Sequence, residues 1–239
     1  MEIDQFLELA QKRRSMRSFK PDPVPAEYLA KILEAARWAM SGANGQPWEF
    51  IVVKDSETRS KIEAARSEAQ QLTIAMEGIR VPEMRQPRYR KMETIIPKAM
   101  TGAPVIIIAC GDPRTAQASV LSRLNDRRWV VDENMANACQ IIHLAVAACG
   151  LGSQWVTIDR YCEELMKPIL GVPPIIRLFS MIPIGYPAYK AKVAYRRELT
   201  EIVHEGKYDM SKYRSHEEVQ DFIRNLREES KRSYPLKRK

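Results

Sequence analysis

One segment limits the folds open to this chain more than any other: Asp132–Cys149, DENMANACQIIHLAVAAC. Ala136, Ala138, Ala145, Ala147 and Ala148 share it with Ile141, Ile142 and Leu144. Alanine and leucine favour helix, and apolar residues fall around nearly the whole circumference. Such a helix belongs inside a fold, with other elements around it. Its small side chains allow close helix approach, so a self-association face is expected. His143, on the same helix, is expected to be packed and hydrogen-bonded rather than catalytic.

The elements available to surround it can be read in order. Ile3, Phe6 and Leu7 repeat at helical spacing up to Lys12. Pro21, Pro23 and Pro25 punctuate an extended stretch before a helix at Ala26–Met40, where Leu29, Ile32, Leu33, Ala36 and Ala39 share a face. Glu49–Lys54, Ala103–Cys110 and Arg177–Ile184 are rich in aliphatic residues and predict buried strands. Ser56–Met76 predicts a helix, and so does Glu163–Leu170, closed by Gly171. Gly150–Thr157 predicts a helix C-cap followed by the start of a strand. Glu77–Ala99 breaks the pattern with Pro82, Pro87, Pro97 and the basic run Arg85–Lys91. It is expected to be a loop or short helical excursion, either covering a substrate face and selecting what enters or standing as a solvent-exposed surface excursion. Ser215–Lys239 predicts a charged amphipathic helix with a basic end. The expected division is residues 1–205 as the main domain and 206–239 as a helical extension.

Charge and cysteine usage narrow the partners. The net charge of +8 over 239 residues favours anionic ligands. Cys110, Cys139, Cys149 and Cys162 form no C-x-x-C pair, and no histidine stands at zinc-like spacing, so no metal is expected. The cysteine usage and an acidic start without an apolar leader lead to the expectation of a cytoplasmic protein. The apolar runs are too short to span a bilayer, so no membrane partner is expected.

The chemistry concentrates in Arg13-Arg14-Ser15-Met16-Arg17-Ser18-Phe19. Guanidinium forks match phosphate oxygens, and serine hydroxyls with turn N–H groups can complete the site. A solvated basic turn at a helix end is the alternative for the same residues. Further on come an amide-rich loop, Ser41-Gly42-Ala43-Asn44-Gly45-Gln46-Pro47-Trp48, a Gly-Leu-Gly-Ser-Gln-Trp turn at Gly150–Trp155, and the pair Arg196-Arg197. There is no Walker A loop, G-x-G-x-x-G turn or G-x-S-x-G elbow. A planar polar heterocycle with a phosphorylated tail would use the parts that are present.

In their order, Arg13–Phe19, Pro23-Val24-Pro25, Ala35-Ala36, Ser41–Phe50 and Ile184-Gly185-Tyr186-Pro187 resemble the nitroreductase family of FMN-dependent oxidoreductases. The likeness runs from about Gln5 to about His204. Ala103–Ile106 and the helix around Asn137 are also similar to its iodotyrosine deiodinase branch. The resemblance implies an α+β fold, a central, mainly antiparallel sheet flanked by helices, in an intertwined homodimer with FMN at the subunit interface. It implies that Arg13, Arg14, Ser15 and Arg17 hold the FMN phosphate and ribityl chain, with Arg196 returning to the phosphate. Ser41, Gly42, Asn44 and Gln46 would border the ring from the partner subunit. Trp155 and Thr157 would lie along the ring edge, Thr157 near N5. Met40 departs from the proline usual before the amide loop, and no Glu, Tyr and Lys lid trio of the deiodinase kind stands out in Glu68–Lys98.

The activity implied is electron transfer from NAD(P)H through FMN to a small organic acceptor such as a nitroaromatic or quinone, by a ping-pong cycle. Flavin supplies the chemistry, so no side chain is expected to act as acid, base or nucleophile. Reductive dehalogenation or flavin cleavage is the enzymatic alternative. A non-enzymatic flavin or nucleic-acid binder is the remote one, and nucleic acid is disfavoured because basic stripes more often steer anionic cofactors.

Overall fold

The computed structural model describes residues 2–79, 100, 102–120, 127–191 and 195–233. The basic run Arg85–Lys91, and most of the loop expected around it, lie outside the described residues. The chain divides into two compact units, Met1–Lys190 and Ala191–Lys239, a break earlier than the 205/206 division read from sequence.

The first unit is built on a sheet with strand order β1 (Trp48–Val53), β2 (Val105–Gly111), β5 (Arg177–Gly185), β3 (Gly152–Ser153), with β4 (Val156–Thr157) also on β5. All these pairs are antiparallel. The side chains of β2 alternate between two cores. Val105, Ile107 and Ala109 face α2 (Ala26–Arg37) and α4 (Arg127–Ala148). Ile106, Ile108 and Cys110 face α3 (Ser56–Ile79) and α5 (Arg160–Leu170). Successive strand residues point to opposite faces, and both faces are covered. That is why β2 is apolar throughout and wholly buried. Burial pushes the Cys110 and Cys139 thiols up to about 12 and Cys162 to about 11, so these cysteines stay protonated as small core residues.

The predicted elements in the described residues form, with shifted ends, but β1, expected to be a buried strand, lies at the sheet edge and only Val53 in it is buried. Helix α2 stops at Arg37, short of Met40, and its end tightens into 3₁₀-type bonds, Trp38 N donating to Ala35 O at 3.2 Å and Ala39 N to Ala36 O at 3.0 Å. Helix α4 begins before Asp132, at Arg127. It is less enclosed than its alanines suggest. Val131, Met135, Ala138, Ile142 and Val146 are buried, whereas Glu133, Asn137 and Gln140 form an exposed stripe in the single chain. These three recur at i, i+4 and i+7, one helical face. Gly150 and Gly171 are both left-handed, as C-caps require, with φ of 71° and 65°.

The second unit holds α6 (Leu199–Ile202) and α7 (His216–Ser233). The Arg214 guanidinium stacks 4.8 Å over the Phe222 ring, and His204 stacks on Tyr208 at 4.3 Å. Among the described residues, no helix is long and apolar enough to cross a membrane, and no His, Cys, Asp and Glu cluster could hold a metal.

Candidate functional site

The arginine segment follows α1 (Ile3–Lys12) and is laid along the sheet rather than left as a free turn. Met16 N donates to the Ser153 carbonyl at 2.9 Å, and Ser15 bridges Ser153 in parallel. Further along, Lys20 N donates to Tyr186 O at 2.8 Å, Ala188 N to Ser18 O at 3.2 Å, and Phe19 bridges Pro187. Met16 and Phe19 are buried, while Arg13, Arg14 and Ser15 are half-buried and Arg17 is exposed. The apolar residues anchor the segment and leave the polar ones at the surface. The Arg14 guanidinium donates back to the Arg13 carbonyl at 2.7 Å, holding the turn closed.

Beneath the segment lies His143, 4% exposed, its Nδ1 2.7 Å from Ser153 Oγ. Among the described residues its Nε2 has no hydrogen-bond partner. Desolvation, then the nearby Arg13 charge, lowers the imidazole to about 4, so the ring is neutral at physiological pH. It is the packed histidine expected. Trp155 stands between the His143 and Phe179 rings, 5.9 and 5.8 Å away, so the core holds its indole. Thr157, at the end of β4, is exposed. The buried Gln154 Oε1 has no hydrogen-bond partner among the described residues. β3 and β4 both pair with β5: Ser15 lies by Ser153, opposite Ile184, and Thr157 lies opposite Ser180, roughly 13 Å further along that strand.

The amide loop lies elsewhere. Pro47 O accepts from Asp112 N at 2.9 Å, placing the loop by the Gly111 end of β2. The arginine segment lies by β3, which pairs Gly185 and Ile184, the latter opposite Val105. Val105 and Gly111 are roughly 20 Å apart at strand rise. On α4, the residues meeting the two sites, Asn134 and His143, are separated by about 13 Å of helix.

The loop is strained. Ala43, Asn44 and Gln46 have φ of 52°, 54° and 43°, left-handed values that cost non-glycine residues about 1–3 kcal/mol each. Gln46 N donates to Ser41 Oγ at 3.1 Å, and the Gln46 amide to Asn44 O at 3.3 Å. Gly45 sits so close to the 3₁₀ turn Pro113–Ala118 that a Cβ there would lie 3.1 Å from Thr115 O. Helix α4 supplies two carboxamides. Asn134 Oδ1 accepts from Gly42 N at 3.0 Å, and Asn137 Nδ2 donates to Met40 O at 3.2 Å. Sequence reasoning missed Asn134, since a lone asparagine in a helix carries no motif. Ser41, Gly42, Asn44 and Gln46 are exposed or half-exposed in the single chain. Arg196 falls in the second unit, where its guanidinium donates to Tyr195 O at 2.8 Å.

A guanidinium-rich, hydroxyl-bearing segment fixed to a sheet suits a phosphate. The exposed Thr157 hydroxyl leaves polar capacity at the end of β4 for a ring edge.

Comparison with known proteins gives the same direction. The nitroreductase family model matches residues 10–186. Rat iodotyrosine deiodinase 1 is 28% identical over 194 residues, 81% of this chain and 66% of that protein. The chain thus spans just under two thirds of several mammalian deiodinases it matches. A Methanothermobacter thermautotrophicus protein with a provisional NADH dehydrogenase/NAD(P)H nitroreductase name is 33% identical, with 76% of this chain and 77% of that one covered. The structure of an FMN-dependent nitroreductase from Clostridium difficile R20291 superposes with a TM-score of 0.60 at 26% identity, covering 84% of this chain and 99% of that one. With its antiparallel sheet, its arginine segment beside β3 and a family match across most of its length, the chain belongs to the nitroreductase family.

Proposed function

We propose that this protein is an FMN-dependent oxidoreductase that takes electrons from NAD(P)H and passes them to a small organic acceptor such as a nitroaromatic or quinone, donor and acceptor using one site in turn. The observation that carries the reading is the arginine segment fixed along β3 on a family fold. Arg13, Arg14, Arg17 and the Ser15 hydroxyl would hold the FMN phosphate and ribityl chain, and Thr157 would border the ring near N5. Bound FMN would supply the hydride chemistry. The protein's part is to hold the cofactor, aim it and exclude water. Neutral His143 adds no charge below the site, so the phosphate-facing potential comes from the arginines.

The distance between the two halves supports a homodimer. In one chain the arginine segment and the loop Ser41, Gly42, Asn44 and Gln46 sit by opposite ends of β2. A second copy brings its loop to the first copy's ring, and the exposed α4 stripe is available to a subunit interface.

The deiodinase relatives favour one further reading, a halogenated aromatic acceptor. Anaerobic mixing with NADH and NADPH, then with nitroaromatic, quinone and halotyrosine acceptors, tests both. A yellow protein bleached by a nicotinamide and recoloured by an acceptor is the expected result, and the acceptor that recolours it fastest chooses between the readings. Flavin left oxidised by both nicotinamides would overturn NAD(P)H dependence, and a colourless protein that takes up no FMN would overturn the cofactor.

A further inference from the structure

The amide loop holds three left-handed non-glycine residues between Ser41 and Pro47. Chain segments adopt such conformations only where their surroundings over-determine them. Contacts within the loop account for part of this. The outside contribution from α4 is specific in chemistry and place. Asn134 and Asn137 are one turn apart on one helix face. One carboxamide accepts from the Gly42 N–H and the other donates to the Met40 carbonyl. An acceptor and a donor thus grip the chain on either side of Ser41. Asn134 is 7% exposed, so this is a built contact rather than a surface encounter. Val130, also on α4, is the nearest neighbour a Cβ on Gly42 would meet, at 3.6 Å.

We propose that Asn134 is a positioning residue of the flavin site: by accepting from Gly42 N–H it sets the direction in which the strained Ser41–Gln46 edge faces the partner subunit's cofactor. This rests on the function proposed above. The residue touches no cofactor and acts through the loop. An aliphatic side chain of similar size fills the space but leaves Gly42 N–H without its acceptor. Aspartate keeps an acceptor oxygen at the same atom.

The test uses the full chain with Asn134→Leu, Asn134→Ala and Asn134→Asp. Amide hydrogen exchange in flavin-free protein needs no cofactor. Residues 42–46 should exchange at least about tenfold faster in N134L and N134A than in wild type, and N134D should restore protection. In the FMN-loaded protein, N134L and N134A should shift the flavin absorption bands and lower kcat/KM for the nicotinamide by about tenfold, with helix content unchanged and N134D recovering most of the rate. If one aliphatic variant does not fold, the other carries the comparison. Unchanged exchange would overturn the role of Asn134 whatever the flavin does. Faster exchange with an unshifted spectrum and wild-type kinetics would make it a structural contact only and overturn the positioning claim. Failure of wild type to take up FMN, read before any variant is made, would instead overturn the proposed function.

Discussion

His143 Nδ1 lies 2.7 Å from Ser153 Oγ, and this contact ties the central helix to the residue whose carbonyl receives Met16 N. The imidazole is thus a pillar below the arginine segment, and its charge state matters to the fold. An ordinary histidine takes up a proton near pH 6.5, whereas this one resists until about 4. Between those values the unfolded chain binds more protons than the folded one. This contribution to stability is therefore complete above pH 6.5 and is lost as pH falls toward 4. The shift corresponds to roughly 3 kcal/mol at most. His143→Leu should flatten this acid limb. Denaturant midpoints measured at pH 7 and pH 5 check it: an equal loss in wild type and variant would show that another group is responsible.

Gly152 on β3 is a place where the arginine segment needs the absence of a side chain. A Cβ there would lie 2.6 Å from Met16 Cγ and 2.9 Å from Met16 Cβ. Gly152→Ala should push Met16 off the strand and cost about 1–3 kcal/mol, as overpacking does. Thermal melts should show the loss, and FMN titration should show weaker uptake. Wild-type stability and affinity would mean that Met16 repacks without moving the segment.

Arg13→Glu should abolish FMN retention. It replaces a guanidinium fork with a carboxylate, losing a charge-assisted contact worth about 1.5–3 kcal/mol and adding repulsion. The flavin-to-protein absorbance ratio after purification measures this. The same variant has a second, flavin-free readout. Arg13 contributes to the low His143 value, so reversing its sign should raise that value and shrink the acid limb. Full flavin occupancy in Arg13→Glu would remove Arg13 from the phosphate site.

What the sequence determined by itself is what depends on near neighbours in the chain. The face of α2 carrying Leu29, Ile32 and Ala36 was legible from its period, and those residues are buried. The run Ala103–Cys110 is legible as a buried strand from its aliphatic residues, and the strand forms at Val105–Gly111, buried throughout. Gly150 and Gly171 marked helix ends because left-handed residues there favour glycine. The family itself was legible in the arginine segment and the amide loop, two motifs dense in residues of limited use elsewhere. Tertiary structure alone decided the rest. Ala43 and Gln46, unlike Asn44, give no local sign of positive φ, and α4 and the 3₁₀ turn constrain it from outside. Asn134 stands out from the other polar residues of α4 only once Gly42 N–H is seen to point at it. The enclosure of α4 was overestimated because its alanines hid the stripe Glu133, Asn137 and Gln140, and exposure depends on which neighbours arrive. The separation of the arginine segment from the amide loop is a matter of strand register, which antiparallel pairing fixes through contacts distant in sequence. Local periodicity carries no information about which strand ends meet.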